Sequence, residues 1–442
     1  MRRLPEGAPI VTADAMREAE EAAFASGVSQ AELMERAGVA VAVQVARLAG
    51  RRPILVLAGP GNNGGDAWVV ARWLAERCYD VTVAELPGNA GPVASQMRAR
   101  WAGEVTALAD AQPRAVLVDG LFGIGITRPL APAVVAPLAA LYAAADLVIA
   151  IDIPSGGIDP DVTVALGALK PENLLGSGHI LLADLGIAVP DAWRTIRRPR
   201  MRAPGVGDHK YSRGMVGVIA GEMPGAARLA ARAAMRCAGY VALAGTGAGA
   251  EGGPDALVHR DVDALFDDDR VGALLIGPGL GRSDRTLLDR AIASGRHLVL
   301  DGDALSLLGE DAATRLKNRT AATWLTPHSG EFDRMFGAGA GNKIKRTITA
   351  ARASGCTIVH KGADTVIASP DGRAVVEASA SSWLASAGTG DVLAGLVAAR
   401  VAGGGSAEEA VWLHSRAAAI AGPALIADDL IDTLRDAVAE CL

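Results

Sequence analysis

The sequence predicts an α/β protein built as two doubly wound domains. Three observations carry that prediction. Short apolar runs repeatedly end in polar, glycine-bounded turns, and apolar helical stretches follow many of them. The 53 glycines cluster in those turns, as tight strand-to-helix connections require. At 442 residues the chain is too long for one ordinary core, and a cationic segment divides the apolar pattern in two. That segment, residues 192–204, holds Arg194, Arg197, Arg198, Arg200 and Arg202 with Pro199 and Pro204. It reads as a solvated linker, with phosphate binding the less favoured alternative. The expected domains are residues 1–200 and 205–442.

Composition narrows the function. Half the residues are hydrophobic, so large cores can be buried. A net charge of -6 with 4% aromatics excludes a nucleic-acid surface. Cys78, Cys237, Cys356 and Cys441 lack metal-ligand spacing and read as reduced thiols of a cytoplasmic protein. The first ten residues lack the apolar core of a signal peptide, and no uncharged apolar run is long enough to span a membrane.

In the first half, helical spacing predicts helices over 12–25 and 31–49. A strand over 53–58 then runs into Gly59-Pro60-Gly61-Asn62-Asn63-Gly64-Gly65-Asp66, with a helix expected from Ala67 to Arg77. The Asn amide oxygens can bind a cation and the amide hydrogens a phosphate or carboxamide; a plain Asn-Gly turn is the alternative. Strands are expected over 81–86, 115–120 and 147–153. Three strands therefore finish at Asn62/Asn63/Asp66, at Asp119 and at Asp152/Ser155. In an open parallel sheet these ends share one edge, and their hard oxygens suggest a bound cation.

Gly-Asn-Asn-Gly-Gly-Asp at 61–66, Asp-Gly-Leu-Phe-Gly-x-Gly-x-x-Arg-Pro at 119–129 and Asp-Ile-Pro-Ser-Gly at 152–156 resemble the NAD(P)H-hydrate epimerase family, as does Leu33-Met34-Glu35-Arg36-Ala37-Gly38. The resemblance covers roughly residues 10–190. It implies a Rossmann-like domain interconverting the R and S forms of hydrated NADH or NADPH. It further implies a potassium ion on Asn63, Asp119 and Ser155. Hydrate contacts are implied for Asn62, Asn63, Gly64, Gly65, Asp66, Gly123, Ile124, Gly125, Ile126, Thr127, Arg128, Pro129 and Asp152. Asp152 is the candidate proton-transfer group. Ala67 stands where the family usually has Gly, and the segment after Ser155 is short.

The second half repeats the strand-then-glycine-turn pattern, with strands expected over 215–220, 271–276, 297–300, 322–325 and 356–359. Residues 365–368 and 373–377 bracket a Ser-Pro-Asp-Gly turn and predict a hairpin. His328, near Glu331 in a strand-end turn, is a candidate ligand contact, and Lys361 can reach a phosphate. Gly388-Thr389-Gly390-Asp391 runs into the apolar stretch Val392–Val401. Backbone amides at such a helix start cradle anions. A carboxylate beside them suits phosphoryl transfer, whereas a simple helix cap is the competing reading.

The ordered motifs Gly-Pro-Gly-Leu-Gly, Asp-x-Asp-Ala-Leu, Leu-Thr-Pro-His-x-Gly-Glu-Phe, Lys-Gly-Ala-Asp-Thr and Gly-Thr-Gly-Asp resemble the ADP/ATP-dependent NAD(P)H-hydrate dehydratase family, of ribokinase-like fold, over about residues 205–442. The resemblance implies nucleotide contacts at Lys361, Gly362, Ala363, Asp364, Thr365 and Gly390, and magnesium bound with ADP or ATP. It places the hydrate at Ala226, Gly281, His328 and Asp391, with Asp391 as catalytic base. Ser381–Ala385 replaces the family's Asn-Pro-Gly-Met-Ala-like run, and Tyr211-Ser212 replaces Gly-Asp. Together the halves imply a homo-oligomeric enzyme acting on NADHX and NADPHX. The alternatives are a small-molecule kinase fused to a nucleotide-binding domain, and a binding protein that has lost the chemistry.

Overall fold

The computed structural model describes residues 2–124, 130–176, 178–246, 253–283 and 285–442. The chain forms two compact units, Arg2–Trp193 and Arg194–Leu442.

In the first unit the strands are β1 (Ile54–Ala58), β2 (Val81–Glu85), β3 (Val105–Ala107), β4 (Val116–Gly120), β5 (Leu147–Ile151), β6 (Val162–Leu166) and β7 (His179–Ala183). They lie in the order β3-β2-β1-β4-β5-β6-β7 and pair in parallel throughout. Both faces are covered. Ile54, Val56 and Ala58 of β1 join one apolar core, while Leu55 and Leu57 join the other, as a two-residue side-chain period demands. The order reverses between β1 and β4, the switch point where open α/β sheets bind ligands.

Helices Ala13–Ala25 and Gln30–Ala49 form where the spacing predicts, capped by the Thr12 and Ser29 side chains. The helix after β1 differs from expectation. It begins at Asn62 rather than Ala67 and ends at Ala75, so Asn62-Asn63-Gly64-Gly65 is its first turn. Close backbone approach is what requires glycine in this turn. A Cβ on Gly64 would lie 1.7 Å from the Gly59 carbonyl oxygen, and one on Gly59 would lie 1.7 Å from that of Leu121.

The strands of the ten-stranded sheet are β8 (Trp193–Thr195), β9 (Met215–Ala220), β10 (Tyr240–Gly245), β11 (Val258–Arg260), β12 (Ala273–Ile276), β13 (His297–Leu300), β14 (Thr323–Leu325), β15 (Thr357–His360), β16 (Thr365–Ala368) and β17 (Ala374–Glu377). Their order is β11-β10-β9-β12-β13-β14-β15-β16-β17-β8. The run from β11 to β15 is parallel; β15, β16 and β17 are antiparallel neighbours, giving the predicted hairpin. Here the switch point lies between β9 and β12. Val216, Val218 and Ala220 pack into a core shared with helices Pro224–Ala234, Thr389–Ala402, Ala407–Ala421 and Ala427–Ala439.

Part of the segment read as a solvated linker is structured. It supplies β8 at the sheet edge, buries Ile196, and donates hydrogen bonds from Ile196 N to Val376 O (2.9 Å) and from Met201 N to Cys441 O (2.8 Å). The arginines alternate with residues that pack, and charge alone hides that alternation.

Candidate active sites

In the first unit a cavity of about 940 Å³ opens at the switch point. Asn62, Asn63 and Asp66 line it from the helix after β1, with Gly123 and Ile124 from the segment after β4 and Asp152 from the turn after β5. Gly64 and Gly65 are buried in that first helical turn. Gly125, Ile126, Thr127, Arg128 and Pro129 lie outside the described residues.

Asn63, Asp119 and Ser155 are brought into one hydrogen-bond chain. Asn63 Nδ2 donates to Phe122 O (2.7 Å), Phe122 N donates to Ser155 Oγ (3.1 Å), and Ser155 Oγ donates to Asp119 Oδ1 (2.8 Å). Asp119 also accepts from Leu121 N (3.1 Å), Ser155 N (2.8 Å) and Tyr142 Oη (2.6 Å). All of these donors are neutral. Burial pushes the Asp119 carboxyl above its usual range, and the donors pull it back.

Asp152 occupies the left-handed region, with φ of 62°, unusual for a non-glycine residue and frequent at functional sites. Its Oδ1 accepts from Lys170 Nζ (2.5 Å) and Leu166 N (3.1 Å), and its carbonyl accepts from Asn173 Nδ2 (2.7 Å). Lys170 is 1% exposed and also donates to Leu166 O (2.8 Å). Glu20 joins the cavity wall. Its carboxyl is raised by burial first, opposed by Lys170. Asp66 is pushed well above the carboxylate range, first by burial and then by Asp152 and Glu20. Sequence reasoning missed Lys170, Glu20 and Asn173. The one signal for Lys170 was a lysine just after an apolar strand.

In the second unit Gly388, with φ of 85°, caps the helix Thr389–Ala402. Asp391 sits in the first turn. His414, buried behind this turn, places Nε2 2.9 Å from the Thr389 carbonyl. Thr389 Oγ1 donates to Leu384 O (2.8 Å) and Ser386 O (2.9 Å), tying the divergent 381–385 segment to the helix start. Lys361 Nζ donates to Asp301 Oδ1 (2.7 Å). A Cβ on Gly390 would lie 3.3 Å from that Nζ. Lys361, Gly390, Asp391 and Asp301 therefore form one cluster. The Asp391 carboxyl is pushed up to about 6, first by burial and then by Asp301, with Lys361 opposing.

The remaining residues support this edge. Lys343 Nζ holds the turn after β15 through Asp364 Oδ1 (2.9 Å), Asp364 O (2.8 Å) and Lys361 O (3.3 Å). Gly362 N donates to Thr365 Oγ1 (3.3 Å) across Ala363. Gly281 N donates to Asp303 Oδ2 (3.0 Å), and Ala226 lies in the first turn of Pro224–Ala234. His328 caps the helix Ser329–Phe336. Its Nδ1 accepts from Gly330 N (3.0 Å) and Glu331 N (3.3 Å), while Glu331 Oε2 accepts from His328 N (2.9 Å). Lys343, Asp301 and His414 were missed as site residues.

Two family models match the chain: one described as YjeF-related protein N-terminus over residues 30–175, the other as NAD(P)H-hydrate dehydratase over residues 216–441. The chain is 34% identical over 437 residues to the bifunctional NAD(P)H-hydrate repair enzyme Nnr of Mycobacterium tuberculosis (strain ATCC 25618 / H37Rv), covering 88% of each chain. It is 33% identical over 448 residues to the enzyme of the same name from Mycobacterium leprae (strain TN), covering 92% of each. Among solved structures, an ADP/ATP-dependent NAD(P)H-hydrate dehydratase from Bacillus subtilis, co-crystallized with ATP/Mg2+, is 25% identical with a TM-score of 0.47, over 55% of this chain and 95% of that one. With both halves matched and relatives aligned along nearly their whole length, the chain belongs to the family of bifunctional NAD(P)H-hydrate repair enzymes.

Proposed function

We propose that the first unit epimerises NADHX and NADPHX and that the second dehydrates the S form to NADH or NADPH, consuming ADP or ATP. The observation that carries the second half is the Asp391 cluster. A carboxyl pushed up to about 6 sits in the first turn of a helix, beside Lys361 and Asp301. The hydrate carries a hydroxyl on ring carbon 6, and hydroxide is a poor leaving group. Asp391 accepts the hydroxyl proton while the oxygen attacks the terminal phosphorus of the nucleotide. The ring-nitrogen lone pair then expels phosphate, and loss of the carbon 5 proton restores the ring double bond. Lys361 and the amides of the glycine turn hold the nucleotide's phosphates. Magnesium bound with the nucleotide would neutralise phosphate charge; the carboxylates of Asp391 and Asp301 supply oxygens of the type it prefers.

In the first unit, Asp152 moves the proton on the hydrate. Asn63, Asp119 and Ser155 would hold a potassium ion. The fit rests on Asp119, a fully buried carboxylate whose partners are all neutral; a cation would supply the missing charge. Bound there, potassium would orient a phosphate or carboxamide of the hydrate. The deciding experiment follows NADH absorbance from S and R hydrate with ADP or ATP. Recovery from S needs nucleotide, and recovery from R also needs the first unit. No absorbance from either epimer would refute the assignment.

A further inference from the structure

The first unit's cavity carries one more pair of groups than a single proton-transfer residue explains. Lys170 is among the largest fully buried side chains of the described residues, and it lines the cavity beside Asp152. Its ammonium group spends one proton on Asp152 Oδ1 and one on Leu166 O. Leu166 N also donates to Asp152 Oδ1, and Asn173 Nδ2 donates to the Asp152 carbonyl. Asp66 enters from the helix after β1 and is 7% exposed, and its carboxyl accepts no hydrogen bond among the described residues. Glu20 and Arg17 face the same space from the helix Ala13–Ala25.

We propose that Lys170 is a positioning residue that fixes Asp152 as the proton acceptor of epimerisation, and that Asp66 is the paired proton donor. This rests on reading the first unit as the epimerase. The chemistry of inversion asks for such a pair. By ring opening, the carbon 6 hydroxyl gives up its proton and becomes an aldehyde. The bond from carbon 6 to the ring nitrogen breaks, its electron pair goes to nitrogen, and nitrogen takes a proton. Rotation about the bond between carbons 5 and 6 exposes the other aldehyde face. Closure there returns both protons, with no net oxidation. An acceptor and a donor facing one cavity suit this cycle. Lys170 Nζ, 2.5 Å from Asp152 Oδ1, holds the acceptor carboxylate in one orientation. Burial and the neighbouring Asp152 and Glu20 favour the neutral form of Asp66.

The test measures R-to-S interconversion from pH 5 to 9 in the full chain for Lys170→Met, Lys170→Arg, Asp66→Asn and Asp152→Asn, with dehydration of the S form as internal control. Lys170→Met, which removes the donor that orients Asp152, should lower kcat for interconversion with little change in KM, and Lys170→Arg should restore much of the rate. Asp66→Asn, nearly isosteric, should slow interconversion about 10²-fold or more and abolish the basic limb. A Lys170→Met enzyme with native kcat, or one whose loss lies in KM alone and is not rescued by Lys170→Arg, would overturn the positioning role, and a near-normal Asp66→Asn would overturn the donor. Full interconversion in Asp152→Asn would instead refute the underlying epimerase site.

Discussion

Lys361 Nζ and Asp301 Oδ1 lie 2.7 Å apart, and Thr326 Oγ1 shares the same carboxylate oxygen at 2.8 Å. This ion pair sets the electrostatic setting of Asp391. Burial is the largest influence raising that carboxyl to about 6, Asp301 and Asp303 add to it, and Lys361 opposes them. A protonated Asp391 cannot accept the hydroxyl proton. Dehydration should therefore rise with pH through about 6 and level off above it. Lys361→Met should move that limb to higher pH and weaken nucleotide binding. A pH profile of kcat/KM for the S hydrate checks both; a limb near the ordinary carboxylate range would contradict the assignment.

Asp391→Asn keeps the size of the side chain but removes the acceptor. Hydrate-dependent nucleotide consumption should fall about 10²–10⁴-fold. Nucleotide affinity should persist through Gly390 and the turn Lys361–Thr365, and epimerisation should be untouched. Asparagine is a good residue for a helix start, so a turn serving only as scaffold would show near-normal NADH recovery. Recovery and affinity measured on this one variant separate the two outcomes.

Asp119→Ala removes the buried charge at the end of β4. Epimer exchange should slow, with S-form dehydration unchanged. Replacing potassium by tetramethylammonium should slow exchange in the native chain and have little further effect in the variant. Equal exchange rates with and without potassium would remove the cation from this site.

Two buried histidines make the second unit sensitive to acid. Burial pushes His360 down to about 3 and His414 down to about 4 from an ordinary 6.5. Unfolding lets both bind protons that the fold refuses. Their stabilising contribution is present in full above about 6.5 and is lost as pH falls toward 4 and then 3. Asp391, raised to about 6, acts in the opposite sense and offsets part of this loss. The denaturant midpoint of the second unit should drop between pH 7.5 and 5, and His414→Gln should flatten part of that slope. A midpoint independent of pH would show that these rings are not held neutral.

The start of the second unit offers a stability test. A chain spanning 194–442 keeps Arg194 and Thr195 of β8, the buried Ile196 and the Met201–Cys441 hydrogen bond; one spanning 205–442 loses all of them. Both should fold, and the longer should melt several degrees higher. Equal melting temperatures would show that the segment adds nothing to the sheet.

The strands that frame each switch point were legible because an apolar run ended by glycine has few other uses. β1, β9 and β13 coincide with their expected ranges to within a residue. Asn63, Asp119 and Ser155 converge as strand-end reasoning said, because parallel strands deliver their carboxyl ends to one edge. Lys170 was illegible. Lysine is read as solvated unless a partner is visible, and Asp152 is 18 positions away in sequence. Lys343 hid for the same reason, since it opens the helix Lys343–Ser354 and its partner Asp364 lies 21 positions away in the turn after β15. The Asn62–Gly65 turn was misread because Asn-Gly pairs favour loops locally, whereas here Gly64 packs within a helical turn against the Gly59 carbonyl.

That crossing of main chains decides where new specificity can be engineered. Gly59 and Gly64 interlock with carbonyl oxygens and admit no side chain, so the turn that carries Asn62, Asn63 and Asp66 to the first cavity is fixed by main-chain packing. A library seeking a bulkier or smaller hydrate has nothing to vary at those two glycines. The adjustable dimensions lie in the walls, at Met16, Phe24, Leu33 and Val134, whose substitution would widen or narrow the opening and leave that turn in place.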